Sequence, residues 1–161
     1  MVVATELVQH DLAGPPAMFA RGEIPLLGVV ELPTDPALTR TAVAAAHDFV
    51  ADGLASIITP EELDDLGIGR PRVHTGQVAT GDEFIEGELK EIVRRRTPDA
   101  ICVDMEGAAV AQVCYELGDV PLCVIRAISE LAGGTASVDF PKFLDRLASH
   151  YSYEILRRMF S

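Results

Sequence analysis

DAICVDMEGAAVAQVCYELGDVPLCVIRAISE, residues 99–130, is the stretch that decides the fold class. Asp99 to Asp104 is a short apolar run bounded by acids, the pattern of a strand buried on both faces. Met105 to Leu117 carries mostly small apolar side chains, which predicts a helix buried on more than one side. Val120 to Ile128 is a second continuous apolar run and a second predicted strand. Strand, helix and strand in this order predict a mainly parallel sheet covered by helices.

The flanking sequence extends the same rhythm. Upstream, Val73, Thr75, Gln77 and Ala79 alternate with their neighbours from Arg72 on, and Thr80-Gly81-Asp82 ends that strand in a turn. Phe84 to Arg96 (FIEGELKEIVRRR) then predicts a helix. The chain opens with Val2–Thr5 as a buried strand. Residues 10–28, HDLAGPPAMFARGEIPLLG, read as a long Pro- and Gly-rich loop, a kind that often carries function. Asp35 is placed as an N-cap, with Pro36 at the first helical position of a helix running to about Ala51. One short helix is expected near Pro60. Downstream, Asp139 caps the last helix, and Phe143, Leu144, Leu147, Tyr151, Ile155 and Met159 form its apolar stripe. The fold expected is α/β, a three-layer α/β/α arrangement with a central mixed, mainly parallel sheet, in one domain over residues 1–161.

Thirteen Lys and Arg against 25 Asp and Glu give a net charge of −12, with pI near 4.6. A surface so acidic repels phosphates, which argues against nucleic acid and against anionic membranes as partners. No apolar run approaches the roughly 20 residues of a membrane helix. MVVATELVQHDL lacks the basic and apolar regions of a signal peptide. Cys102, Cys114 and Cys123 have no paired spacing and sit in apolar runs, as reduced core thiols of a cytoplasmic protein do. His10, His47, His74 and His150 are scattered without metal-ligand spacing, so neither a metal nor a cofactor is expected.

Ligands of open α/β folds bind at the carboxyl ends of the strands. Here those ends carry Thr80-Gly81-Asp82-Glu83-Phe84, Asp104-Met105-Glu106 and Ser129-Glu130. Carboxylates can accept hydrogen bonds from a ribose diol, and one raised in pKa by burial can donate a proton. Phe84 offers a flat apolar face to a base. Solvated acids at helix N-termini would produce the same pattern, favoured by the helix dipole.

VVATELVQHD, TGDEFI, DMEGAAVAQVC and VIRAIS, in that order, resemble the bacterial 5′-methylthioadenosine/S-adenosylhomocysteine nucleosidases of the nucleoside phosphorylase superfamily. The resemblance covers essentially the whole chain. It implies cleavage of the N-glycosidic bond between adenine and a 5′-thioribose through an oxocarbenium-like transition state. It further implies that Phe84 stacks on adenine, that the Ile85 backbone bonds the adenine edge, that Met105 packs under the ribose, and that Val103 belongs to the substrate site. Glu106 would accept from the ribose hydroxyls. Ser129 would support the catalytic acid at Glu130, and Phe140 would wall the alkylthio pocket. The loop over residues 14–25, with Met18, Phe19 and Pro25, would close the pocket of a partner in a homodimer. At 130 the family has aspartate where this chain has glutamate. The resemblance spans the C-terminal two thirds of the family's domain, so the fold is expected as an N-terminally truncated form. The family's first strands, ribose loop and water-activating glutamate have no match here. A non-catalytic nucleoside-binding or dimerisation module and a phosphate-using phosphorylase are the competing readings.

Overall fold

The computed structural model describes residues 1–16, 18–65, 68, 70–118, 120–128 and 147–161. Its strands are β1 (Val2–Gln9), β2 (Glu31–Pro33), β3 (His74–Thr80), β4 (Ala100–Asp104) and β5 (Ile125–Arg126). Its helices are α1 (Pro36–Asp48), α2 (Pro60–Asp65), α3 (Leu89–Arg96), α4 (Gly107–Glu116) and α5 (Ser149–Met159). The chain divides into two compact units, each drawn from separated stretches. A sheet unit comprises Ala4–Thr39 and Thr75–Val124, and a helical unit comprises Met1–Val3, Arg40–His74 and Ile125–Ser161.

In the sheet unit the strand order is β2-β1-β3-β4. β1 and β2 are antiparallel, with Leu7 opposite Leu32. β3 and β4 are parallel, with Thr80 opposite Asp104. The architecture is therefore α/β with a mixed sheet, as expected. β1 continues four residues past the predicted Thr5 because its polar positions find partners. Gln77 donates to the Glu6 carboxylate at 2.9 Å, and Gln9 donates to Gln112 at 2.9 Å. The Asp35 carboxylate accepts from the backbone N–H groups of Ala37 and Leu38 at 2.9 and 2.8 Å. Asp35 is thus the N-cap of α1, as its place before Pro36 predicts.

Two predicted elements in this unit are shorter than expected. The helix after β3 begins at Leu89 rather than Phe84. Gly87 adopts a left-handed φ of 52°, which the interior of an α-helix does not allow. The strand predicted over 120–128 is reduced to Ile125–Arg126. Its earlier backbone bonds other segments instead: Val120 N–H to Cys114, Asp35 N–H to the Leu122 carbonyl, and Ala4 N–H to the Val124 carbonyl. Pro121 has no N–H to give a ladder.

In the helical unit, β5 is antiparallel to the start of β1, with Val3 opposite Ile125. From Arg40 on, α1 buries Ala42, Ala45 and Ala46. It then widens into a π-helical turn at Phe49–Gly53 and tightens into a 3₁₀ turn at Leu54–Ser56, where a plain helix to Ala51 was expected. Thr59 and Glu62 form a reciprocal capping box at the start of α2. Phe49, Leu54, Ile58, Leu63, Leu147, Tyr151 and Ile155 make the core. The Phe49 and Tyr151 rings meet edge to face at 5.1 Å, and the Arg158 guanidinium lies 5.3 Å from the Phe49 centroid. The predicted cap Asp139, with Phe143 and Leu144, lies outside the described residues. Among the described residues, no helix is long and apolar enough to cross a membrane.

Candidate functional site

The carboxyl ends of β1, β3 and β4 are joined by a polar network inside the sheet unit. The Thr80 hydroxyl donates to Asp104 Oδ1 at 2.6 Å and accepts from the Ala108 N–H at 2.8 Å. Asp104 Oδ1 also accepts from the Gly107 N–H at 3.1 Å. Thr80 and Asp104 are buried. Together they satisfy the first N–H groups of α4, a task that Glu106 in the N-cap position does not perform with its own side chain. The helix therefore begins at Gly107, two residues after the predicted Met105.

Three backbone N–H groups extend the network. His10 donates to the Thr80 carbonyl at 2.9 Å, and Gly81 donates to the Asp104 carbonyl at 3.2 Å. Asp82 donates to Asp11 Oδ2 at 2.7 Å. A side chain at Gly81 would collide with the His10 ring, so the close approach of ring and backbone requires glycine there. His10 is 1% exposed, and neither ring nitrogen has a hydrogen-bond partner among the described residues. Burial pushes its pKa down, Arg96 adds to the lowering, and Asp11 and Glu83 oppose it. The imidazole is accordingly neutral at pH 7.

A cleft of about 240 Å³ opens against this network, with Asp11, Leu12, Thr80, Asp82, Met105 and Ala109 among its walls. A second cleft of about 220 Å³ lies between β2, α4 and residues 120–122 and holds none of the predicted site residues.

Of the residues singled out in the sequence, Val103, Met105 and Glu106 stand together at the end of β4, and all three are exposed. Phe84, 67% exposed, and the half-buried Ile85 follow two and three residues after the anchored Asp82. Ser129, Glu130 and Phe140 lie outside the described residues. In the loop, Met18 and Pro25 are exposed. Phe19 packs back on Gly14 of the same loop. The loop is less outward-facing than its composition suggests, because Ile24 is buried and bridges to Val29. His10 and Asp11 were not singled out from the sequence, since they read as the start of a loop, while Thr80 and Asp104 were placed at ligand-binding strand ends without a role of their own. Burial and the neighbouring Asp35 push the Cys123 thiol up, away from the thiolate a nucleophile needs.

The chain matches the phosphorylase superfamily over residues 1–161. It is 35% identical over 162 residues to the 5′-methylthioadenosine/S-adenosylhomocysteine nucleosidase of Geobacillus kaustophilus (strain HTA426), covering 100% of this chain and 60% of that protein. Its fold matches the S. pneumoniae 5′-methylthioadenosine/S-adenosylhomocysteine nucleosidase solved with the transition-state inhibitor MT-ImmA. The TM-score is 0.72 at 26% identity, over 98% of this chain and 59% of that one. The futalosine hydrolase of Helicobacter pylori strain 26695 matches with a TM-score of 0.68 at 28% identity, over 98% and 57%. The chain thus spans about 60% of the length of the relatives it matches. A match that runs along every residue, on a fold shared with these structures, makes this chain a member of the phosphorylase superfamily.

Proposed function

We propose that these 161 residues carry the adenine- and ribose-binding part of an N-glycosidase that hydrolyses 5′-methylthioadenosine and S-adenosylhomocysteine and releases adenine. The observation that carries this reading is the bonding of Thr80 and Gly81 to Asp104 and Ala108. It ties the segment leading to Phe84 and Ile85 to the corner that bears Met105 and Glu106. In this reading Phe84 stacks on adenine and the Ile85 backbone meets its edge. Met105 packs under the ribose, Glu106 accepts from its hydroxyls, and Val103 belongs to the same substrate site. Glu130, supported by Ser129, gives the departing adenine its proton, and Phe140 contacts the 5′-substituent. Met18, Phe19 and Pro25 close a partner's pocket in a homodimer. The setting is cytoplasmic, in the salvage of methionine, and the step needs neither metal nor cofactor.

Cleavage also calls for a water aimed at the anomeric carbon from the face opposite the acid. One carboxylate cannot serve both faces, and no second group matches within these residues. General-base help is typically worth about 10²–10⁴-fold, so the isolated chain should turn over poorly. Calorimetric titration with methylthioadenosine, methylthioinosine, futalosine and ribose tests the binding half of the proposal. Methylthioadenosine should bind tightest, and equal affinities would overturn the adenine site. Adenine release tests the acid. Glu130→Asp shifts the carboxyl by over an ångström toward the family's placement, an error that can cost ~10²-fold. It should raise the residual rate, and Glu130→Gln should abolish it. Turnover indifferent to both would remove Glu130 from the role. A nucleoside-binding module without turnover is the second reading. It predicts binding with no adenine release from any of these variants.

A further inference from the structure

We propose that Asp11 is a positioning residue which, with the His10 ring, clamps Thr80–Asp82 and thereby sets where Phe84 and Ile85 stand. The role rests on the reading of that segment as the base-binding one. β1 ends at Gln9, and its next two residues grip the end of β3 by backbone, ring and side chain. His10 N–H donates to the Thr80 carbonyl. The His10 ring occupies the space a side chain at the buried Gly81 would need. The Asp11 carboxylate then accepts the Asp82 N–H at 2.7 Å, a charge-assisted bond joining residues 71 apart in sequence.

The geometry gives that bond leverage. The Asp82 N–H is held by Asp11, two residues past the end of β1, and Phe84 is only two residues further on. Two residues span at most about 7 Å, so fixing Asp82 limits where the Phe84 backbone can stand. Asp11 also lines that cleft and leads into the loop of Met18, Phe19 and Pro25. The base-binding segment and that loop therefore leave the sheet from one shared anchor.

The test compares the 161-residue chain with Asp11→Asn and Asp11→Ala by hydrogen–deuterium exchange, thermal midpoint and methylthioadenosine titration. Asp11→Ala should exchange about tenfold faster over residues 82–86, as loss of one bond on an exposed segment allows. Exchange in α5 and β5 should not change. Its affinity should fall tenfold or more, because displacement of a contact by about 1 Å can cost ~10²-fold. Asp11→Asn keeps an acceptor oxygen and should restore both properties to within about threefold. Unchanged exchange in Asp11→Ala overturns the clamp. Faster exchange with unchanged affinity overturns the positioning role. Faster exchange everywhere, with a lowered midpoint, makes Asp11 a general structural residue and also overturns the proposal. If the unaltered chain binds no methylthioadenosine, the base-binding role falls with the functional reading, while the exchange data still decide whether the clamp exists.

Discussion

In the helical unit Phe49, Leu54, Leu147, Tyr151 and Ile155 pack large side chains into an apolar core. In the sheet unit lie His10, Thr34, Gln77, Thr80 and Asp104, the buried polar side chains among the described residues. The contrast separates two ways of fixing a structure. Apolar burial stabilises in proportion to area and is indifferent to direction. A buried polar group costs about 1–3 kcal/mol when its partner is lost, so it fixes the position of that partner. The ends of β3 and β4 are held by chemistry of the second kind. The candidate site lies there.

Four experiments would break or sharpen that contrast. The largest effect is expected from Phe49→Ala, which empties the centre of the helical core and removes the contacts with Tyr151 and Arg158. Denaturant unfolding should register a loss of about 3–5 kcal/mol, with nucleoside affinity per folded molecule unchanged. A fall in intrinsic affinity would show that the division of labour is wrong.

Next comes alkaline pH. Burial pushes the Tyr151 phenol up to about 12 from an ordinary value of 10.0. The folded state therefore prefers the neutral phenol more than the unfolded state does. Its contribution is fully present below pH 10 and is lost as pH rises from there through about 12. Two units correspond to roughly 2–3 kcal/mol. Unfolding followed between pH 8 and 12 should show this loss, and Tyr151→Phe should remove its share of the slope.

Thr80→Val keeps the shape and deletes the hydroxyl. It strands the Ala108 N–H and one acceptor site of Asp104, at a cost of about 1–3 kcal/mol. Methylthioadenosine affinity should suffer more than stability does, and Thr80→Ser should recover most of both. Equal losses in the two properties would reduce the network to mere support. The smallest effect is expected at Glu91→Ala, which breaks an exposed pair with Arg94 at 3.0 Å. Such pairs contribute little, and neither the thermal midpoint nor affinity should move measurably.

The sequence made the periodic and local features legible. The alternation of apolar strands with helices predicts the α/β class, and Asp35 before Pro36 predicts the cap of α1. The strand-end rule points to the end of β4, where Val103, Met105 and Glu106 stand together. What it could not expose was non-local. Asp11 and Asp82 are separated by 71 residues, and Thr80 and Asp104 by 24. No periodicity relates either pair, and each of these residue types is equally at home on a solvated turn. The start of α3 was misplaced for a different reason. Glu86-Gly87-Glu88 interrupts the helix only because Gly87 takes a left-handed conformation, and a lone glycine in a helical pattern does not announce that.

The interleaving of the two units bears on synthesis. Arg40–His74 supplies Phe49, Leu54, Ile58 and Leu63 to a core whose other half is Leu147, Tyr151 and Ile155. On a ribosome, all of Thr75–Val124 must emerge between those halves. At about 5–20 residues per second, the early half waits on the order of several seconds with its apolar face uncovered. The sheet unit, by contrast, has β1 to β4 once residue 104 is out, and its last residue here is Val124. The part that holds the candidate site can therefore fold during translation, while the apolar residues of the helical unit are the ones a nascent-chain chaperone would have to shield.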